Sequence, residues 1–170
     1  MAQKSAGILL YRKTGSGIQL FLVHPGGPFW ARKDDGAWSI PKGLYAEGED
    51  ALAAAKREFQ EETGAAAEGE FVQLGNFRQP SGKVIVAWGL EGDFDISSMS
   101  SNMFSMQWPP KSGKQQEFPE VDRASWFSPA EAIRKVLKGQ RPILKKLLSR
   151  LEPKSLEAVN SSSGSQGSLF

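Results

Sequence analysis

The 170-residue chain has no cysteine and a single histidine, His24. The first absence excludes disulfides, zinc–thiolate centres, iron–sulfur clusters and cysteine nucleophiles. The second excludes any site built on two imidazoles. It also leaves a Ser-His-Asp mechanism dependent on one residue that has no supporting arrangement around it in the sequence. Long apolar runs are missing as well: the longest span four to six residues, so no segment reads as a membrane-crossing helix. The opening MAQKSAGILLYRK returns to basic residues too early for a signal peptide, and the expected location is therefore the cytoplasm. A net charge of +2 is too small to argue for a nucleic-acid partner, and no basic helix or added DNA-binding element is visible. Any metal chemistry is left to oxygen ligands.

The chain does have an ordinary globular composition, 39% hydrophobic and 24% charged, at a length that suits one domain. Its small net charge hides an asymmetry. Glu47, Glu49, Asp50, Glu58, Glu61 and Glu62 face only Lys56 and Arg57 in their own stretch, a local charge of −4, so the other residues sum to +6. An acidic knot inside a basic chain suits a cation site that receives an anionic substrate, or else a solvated acidic helix face.

Short strands and helices alternate along the chain. Ala6–Arg12 and Ile18–His24 read as a hairpin, followed by a loop over Pro25–Gly36 and a short strand over Ala37–Ile40. A helix is expected from about Glu49 to Thr63, stopped by Gly64. Strand-like runs recur at Glu70–Gln79, Lys83–Leu90, Met103–Trp108 and Val121–Phe127, with loops expected over Asp95–Asn102 and Pro109–Gln116. Ser128-Pro129-Ala130-Glu131 is a capping box that should start a helix running to about Lys138, and Pro142–Leu151 reads as one more. Residues 1–151 form the expected domain, and the Ser-, Gly- and Gln-rich stretch 152–170 reads as a disordered tail.

At about 100° per residue, Leu52, Ala55 and Phe59 form an apolar stripe on the 49–63 helix. Glu58, Glu61 and Glu62 stand at i, i+3 and i+4 on the neighbouring face, with small Ala54 beside them. Like charges so spaced repel one another unless a cation neutralises them. A hard divalent ion that binds through a few carboxylates, waters and substrate phosphates does this. The arrangement is apt for metal-assisted attack of water on a polyphosphate.

The stretch Gly43–Ala65 reads GLYAEGEDALAAAKREFQEETGA. Gly43, Glu49, Arg57, Glu58, Phe59, Glu61, Glu62, Gly64 and Ala65 fill every position of the pattern G-x5-E-x7-R-E-U-x-E-E-x-G-U, where U is apolar. Phe59 and Ala65 are less usual choices for the apolar places. Seven fixed residue types at background frequencies of about 5–8% coincide by chance about once in 10⁸ starting points. The chain thus resembles a Nudix hydrolase, and the strand order agrees over about Ala6–Leu151. The resemblance implies an α/β class fold, an α/β/α sandwich around a mixed sheet, in a single domain. It further implies Mg²⁺ or Mn²⁺ as cofactor and hydrolysis of a nucleoside diphosphate linked to another group. By that resemblance Glu58, Glu61 and Glu62 are metal ligands, Arg57 and Glu49 brace the loop against the helix, and Gly43 and Gly64 shape its ends.

Outside the motif, Trp38-Ser39-Ile40-Pro41-Lys42 leads into it, in a Pro-Lys-Gly context similar to that of the family's dinucleoside polyphosphate hydrolases. Lys42 would meet a phosphate there. Many family members supply a late glutamate opposite the helix; Glu120 is the first candidate for that catalytic and metal-binding role, and Glu117 the second. Trp30 and Arg78 are candidate substrate contacts, and Lys83 is another. Phe29, Tyr45, Phe77 and Trp108 are aromatics that could stack on a base. His24 reads as structural or as a neighbour of the substrate. The expected partner is a small nucleotide polyphosphate: a dinucleoside polyphosphate first, then a nucleoside triphosphate, with capped RNA third. The alternative of a different class is a Nudix-fold module that binds nucleotides as a sensor or scaffold without turnover.

Overall fold

A computed structural model describes residues 3–151, so the expected tail at 152–170 lies outside the described residues. Strand β1 (Lys4–Thr14) and strand β2 (Gly17–Pro25) form the first hairpin. They are joined by a short strand β3 (Lys42–Leu44), then helix α1 (Ala51–Thr63), β4 (Phe71–Arg78) and β5 (Val84–Glu91). A small hairpin of β6 (Met103–Gln107) and β7 (Gln115–Pro119) precedes β8 (Val121–Phe127). Helices α2 (Pro129–Lys135) and α3 (Arg141–Leu151) close the described chain.

The main sheet runs β4-β5-β1-β2-β8, with β3 on β1. It is mixed, because β1 and β5 are parallel while the other pairings are antiparallel. Alternation along the strands gives each face its own core. Ile8, Leu10, Phe21, Val23, Val86 and Trp88 pack with Ala54, Ala55 and Phe59 of α1. Leu9, Leu20, Leu22, Ile85 and Ala87 pack on the other face with Ile133 of α2 and Ile143, Leu144, Leu147 and Leu148 of α3. The result is an α/β/α sandwich.

The site owes its place to a splay in this sheet. Strand β2 pairs with β1 only over Tyr11–Thr14, while β3 takes the same edge of β1 at Ser5–Gly7. Between them the chain is stitched by single bonds: Ile8 N–H to the Pro41 carbonyl (3.1 Å), and a two-way pair between Val23 and Ser39. Segment 38–44 is thereby wedged between two diverging strands.

Three local expectations are corrected. Ala37–Ile40 forms isolated bridges, Val23 with Ser39 and Trp38 with Val136, and the ladder begins after Pro41, at Lys42–Leu44. Proline cannot donate to a ladder, but its carbonyl can still accept, and it does so from Ile8. Part of the expected loop at Pro109–Gln116 belongs to β7, whose partner β6 supplies a register that composition does not reveal. Helix α2 ends at Lys135, because Val136 turns extended (ψ 153°) and Leu137 donates to the Trp38 carbonyl.

Candidate active site

Helix α1 begins at Asp50, whose carboxylate accepts from the Ala53 N–H at 2.9 Å. It ends at Gly64, which takes the left-handed conformation (φ 85°) and donates to the Gln60 carbonyl. That is the C-terminal geometry glycine adopts at least cost. Ala54, Ala55, Phe59 and Thr63 are buried against the sheet, which turns Glu58, Glu61 and Glu62 towards the β3 side. Gly43 of β3 lies so close to Glu58 that a Cβ there would run into its carboxylate, so the glycine is a packing requirement.

Arg57 holds the motif together. Its guanidinium reaches both oxygens of Glu49 (3.1 and 3.4 Å) and Glu58 at 2.7 Å, with Glu61 at 3.6 Å. Glu49 also accepts from the Ala46 N–H at 3.3 Å, so the loop after β3 is tied through Arg57 to the helix. The fork geometry of arginine suits this double duty.

Glu120 arrives from across the cleft by a backbone route. The Asn102 N–H donates to the Glu61 carbonyl at 2.8 Å, and the Asn102 carbonyl accepts from the Glu120 N–H, also at 2.8 Å. Ser100 N–H donates to the Thr63 carbonyl, and the Ser101 hydroxyl accepts from Val121 N–H at 3.0 Å. Segment 100–102 is thus a strap from the end of α1 to the start of β8. Glu117 stands on β7 opposite Ser105, exposed and away from the cleft lining.

The electrostatics record this gathering. The Glu62 carboxyl is pushed up to about 8, first by burial and then by the Glu58 and Glu120 charges, against the pull of Lys42. Glu58 is raised by burial and by Glu61, and Glu120 by burial, Glu58 and Glu61. Burial lowers the Lys42 ammonium and Lys83 adds to this, while Glu62 and Glu58 oppose it. Glu58, Glu62 and Glu120, raised together beside Glu61, lie in a cluster that lacks positive charge. Among the described residues no three acidic or imidazole side chains are drawn into a preformed metal cage. The donor set is nonetheless all oxygen, which suits a hard divalent cation, and Glu58, Glu61, Glu62 and Glu120 are the residues that could hold one.

A cleft of about 220 Å³ brings Glu62 and Glu120 together with Lys42, Trp30, Ser39 and Leu137. Beyond Lys42 and Leu137 it continues into a groove of about 360 Å³ lined by Lys83, Lys138, Gln79 and Ser81. Gln140 fixes the floor: its buried amide donates to the Ser39 hydroxyl (2.9 Å) and accepts from the Ile40 N–H (3.0 Å). Arg78 is set apart, with Tyr45, Lys4 and Glu47 in a separate pocket of about 550 Å³. Phe77 packs on the α3-side core, and Phe29 meets Trp108 edge-on at 5.5 Å between ring centres. Sequence reasoning missed Ser39, Leu137, Lys138, Gln140 and the 100–102 strap. None has a local signature, since each acts through a partner distant in sequence.

A three-layer α/β/α fold turns helix carboxylates into a cleft beside the Lys42 ammonium, a donor set that suits a hard cation and an anionic ligand. The chain belongs to the Nudix family: the model of the NUDIX domain matches residues 1–150. It is similar to Nudix hydrolase 26, chloroplastic, of Arabidopsis thaliana, with 26% identity over 125 residues, covering 66% of this chain and 56% of that protein. The chain thus spans little more than half the length of this relative. Among solved structures it is similar to a C. elegans Ap4A hydrolase binary complex (22% identity, TM-score 0.61, 86% of this chain and 97% of that one). It is equally similar to the NUDIX domain of Shewanella oneidensis NrtR complexed with ADP ribose (17% identity, TM-score 0.61, 89% of each chain). These likenesses establish the fold. No helix among the described residues is long and apolar enough to cross a membrane.

Proposed function

We propose that the protein is a Nudix pyrophosphohydrolase that cleaves a phosphoanhydride bond in a nucleoside diphosphate linked to another group. The observation that carries this reading is the cleft joining Glu62, Glu120, Lys42 and Trp30, in which Glu120 helps raise the Glu62 carboxyl and is itself raised by burial, Glu58 and Glu61, beside an ammonium. Glu58, Glu61, Glu62 and Glu120 would hold Mg²⁺ or Mn²⁺, and residues 1–151 would form the domain. The bound cation supplies charge neutralisation for the phosphates and acidifies water.

The chain's own residues do the rest. Arg57 keeps Glu58 turned into the cluster and Glu49 against it. Lys42, shared by the cleft and the groove, offers its ammonium to a phosphate oxygen of the chain that runs from one into the other. Glu120, raised by burial and by Glu58 and Glu61, would take a proton from the attacking water. Trp30 borders the same cleft and offers a ring to a base or ribose.

A dinucleoside polyphosphate is the favoured substrate. The groove past Lys42 presents Lys83 and Lys138, and no acid among its lining residues, so it can follow a long phosphate chain. Arg78 has no place in that path. Incubation with diadenosine tetraphosphate, nucleoside triphosphates and 5′-capped RNA, each with Mg²⁺ or Mn²⁺, followed by mass identification of products, tests the reading. Products from the tetraphosphate at the highest kcat/KM are expected. Tight nucleotide binding with no product from any substrate would move the protein to the sensor or scaffold class.

A further inference from the structure

His24 has a role that its burial alone does not explain. It is the penultimate residue of β2, at a register shift in the β2–β8 ladder, with no solvent exposure. Its Nδ1 lies 2.8 Å from the Asp122 carboxylate, and its Nε2 lies 2.6 Å from the Lys33 carbonyl. Both partners are acceptors, whereas a neutral imidazole carries one N–H, so neither neutral tautomer serves both. Assigned from its partners, the ring is a double donor. Trp38 meets it in an edge-to-face arrangement with ring centres 5.2 Å apart, and Arg123 stands 3.8 Å from Asp122.

The two bonds lead to the two walls of the cleft. Lys33 donates its N–H to the Trp30 carbonyl at 3.0 Å, so the bond to the Lys33 carbonyl fastens the turn that carries Trp30. Asp122 is the second residue of β8 and Glu120 immediately precedes that strand, so the bond to its carboxylate fastens the strand start that presents Glu120. The walls also meet directly, through Gly26 N–H to the Glu120 carbonyl at 3.0 Å. We infer that His24 is a positioning residue that sets Trp30 and Glu120 in one frame through its two ring nitrogens. The inference rests on the pyrophosphohydrolase reading.

The two nitrogens can be separated by substitution. The amide nitrogen of asparagine sits roughly where Nδ1 does and that of glutamine roughly where Nε2 does, so His24→Asn keeps the Asp122 tether and His24→Gln keeps the Lys33 tether. With diadenosine tetraphosphate and Mg²⁺, His24→Asn is expected to raise KM about tenfold with kcat within about twofold. His24→Gln should lower kcat about tenfold with KM within about twofold. Parallel losses in both constants for both variants would reduce His24 to a packing residue and overturn the inference. Asp122→Ala, at a partly exposed position, removes the strand tether without touching the core and should follow His24→Gln if either histidine variant fails to fold.

Amide hydrogen exchange decides the matter independently of turnover. Residues 26–33 should lose protection in His24→Asn, and residues 121–123 in His24→Gln. Equal protection of both segments in both variants would overturn the inference even in an active enzyme. A wild-type protein that turns nothing over would instead sink the pyrophosphohydrolase reading and leave the exchange result to judge His24.

Discussion

Residues 43–65 and residues 95–120 deliver carboxylates to the same cleft by different means. In the first stretch, the helix period places Glu58, Glu61 and Glu62 on one face, Asp50 and Gly64 set its ends, and Arg57 locks the loop from within the motif. The second stretch has no period and no chemical signature. It places Glu120 by handing two backbone bonds through Asn102 to the end of the helix and by folding β6 and β7 back on themselves. The first geometry is encoded within a few turns of chain. The second exists only once α1 is in place, so it can vary in sequence while the site persists.

The largest expected effect falls on the self-contained stretch. Glu62→Gln should lower kcat about 10²–10³-fold, the usual cost of removing one preorganised electrostatic group, while leaving the far-UV circular dichroism unchanged. The variant should also reveal the repulsion in the cleft. In the metal-free protein Glu62 titrates at about 8, against an ordinary value of 4.5, so between those values the folded state holds a proton that the unfolded state has lost. Stability therefore falls as pH rises from about 4.5 to 8. The Tm of the metal-free wild type should drop across that window, and in Glu62→Gln the drop should largely vanish. An equally steep fall in the variant would assign the strain elsewhere.

Next comes the strapped stretch. Glu120→Gln should cost about tenfold to a hundredfold in kcat, because its charge and proton acceptance are lost while Glu62 remains. Glu117→Gln, on the exposed side of β7, should stay within about twofold. The reverse order would move the late glutamate to Glu117 and break the contrast between the two stretches.

The sequence discloses most of what is periodic or capped. The α1 boundaries, the α2 capping box, the first hairpin and the apolar α3 face all follow from residues within about ten positions of one another. Ala37–Ile40 departs from the expected strand because its pairing depends on distant backbone partners: the Val23 and Lys135 carbonyls, which accept from Ser39 and Trp38, and the Val23 and Leu137 N–H groups, which donate to Ser39 and Trp38. Strand β7 was missed because Gln115-Gln116-Glu117 carries no alternation until Phe104 and Phe118 meet across the hairpin. In the site, the motif acids and Lys42 are local signals. Gln140 and the Ser100–Asn102 strap are not, since their partners lie 18 to 101 positions away, and Lys138 joins the groove only through the fold.

Lys42 stands between the two stretches and tests how far the groove continues the cleft. Charge-assisted contacts are worth about 1.5–3 kcal/mol, so Lys42→Ala should lower kcat/KM for a dinucleoside tetraphosphate by about tenfold to a hundredfold. A nucleoside triphosphate, which need not enter the groove, should lose much less. Comparing substrates matters because a lost metal or a folding defect would depress both alike. Equal losses would detach the Lys83 and Lys138 groove from the substrate path.

The smallest loss at a residue that supports the site should come from Ser101, and it bears most directly on the strap. Its hydroxyl accepts from Val121 N–H at 3.0 Å and donates to the Asn102 carbonyl at 2.9 Å, the same carbonyl that receives the Glu120 amide. Ser101→Ala leaves the backbone bonds in place and removes about 1 kcal/mol of side-chain support. A kcat reduced about two- to fivefold with unchanged KM is expected, because Glu120 shifts while the Trp30 side of the cleft does not. In a Glu120→Gln background the same substitution should have no further effect on kcat, since its influence travels through that residue. Full additivity would show that Ser101 acts on the site by another route, and that the strap holds the strand without aiming its glutamate.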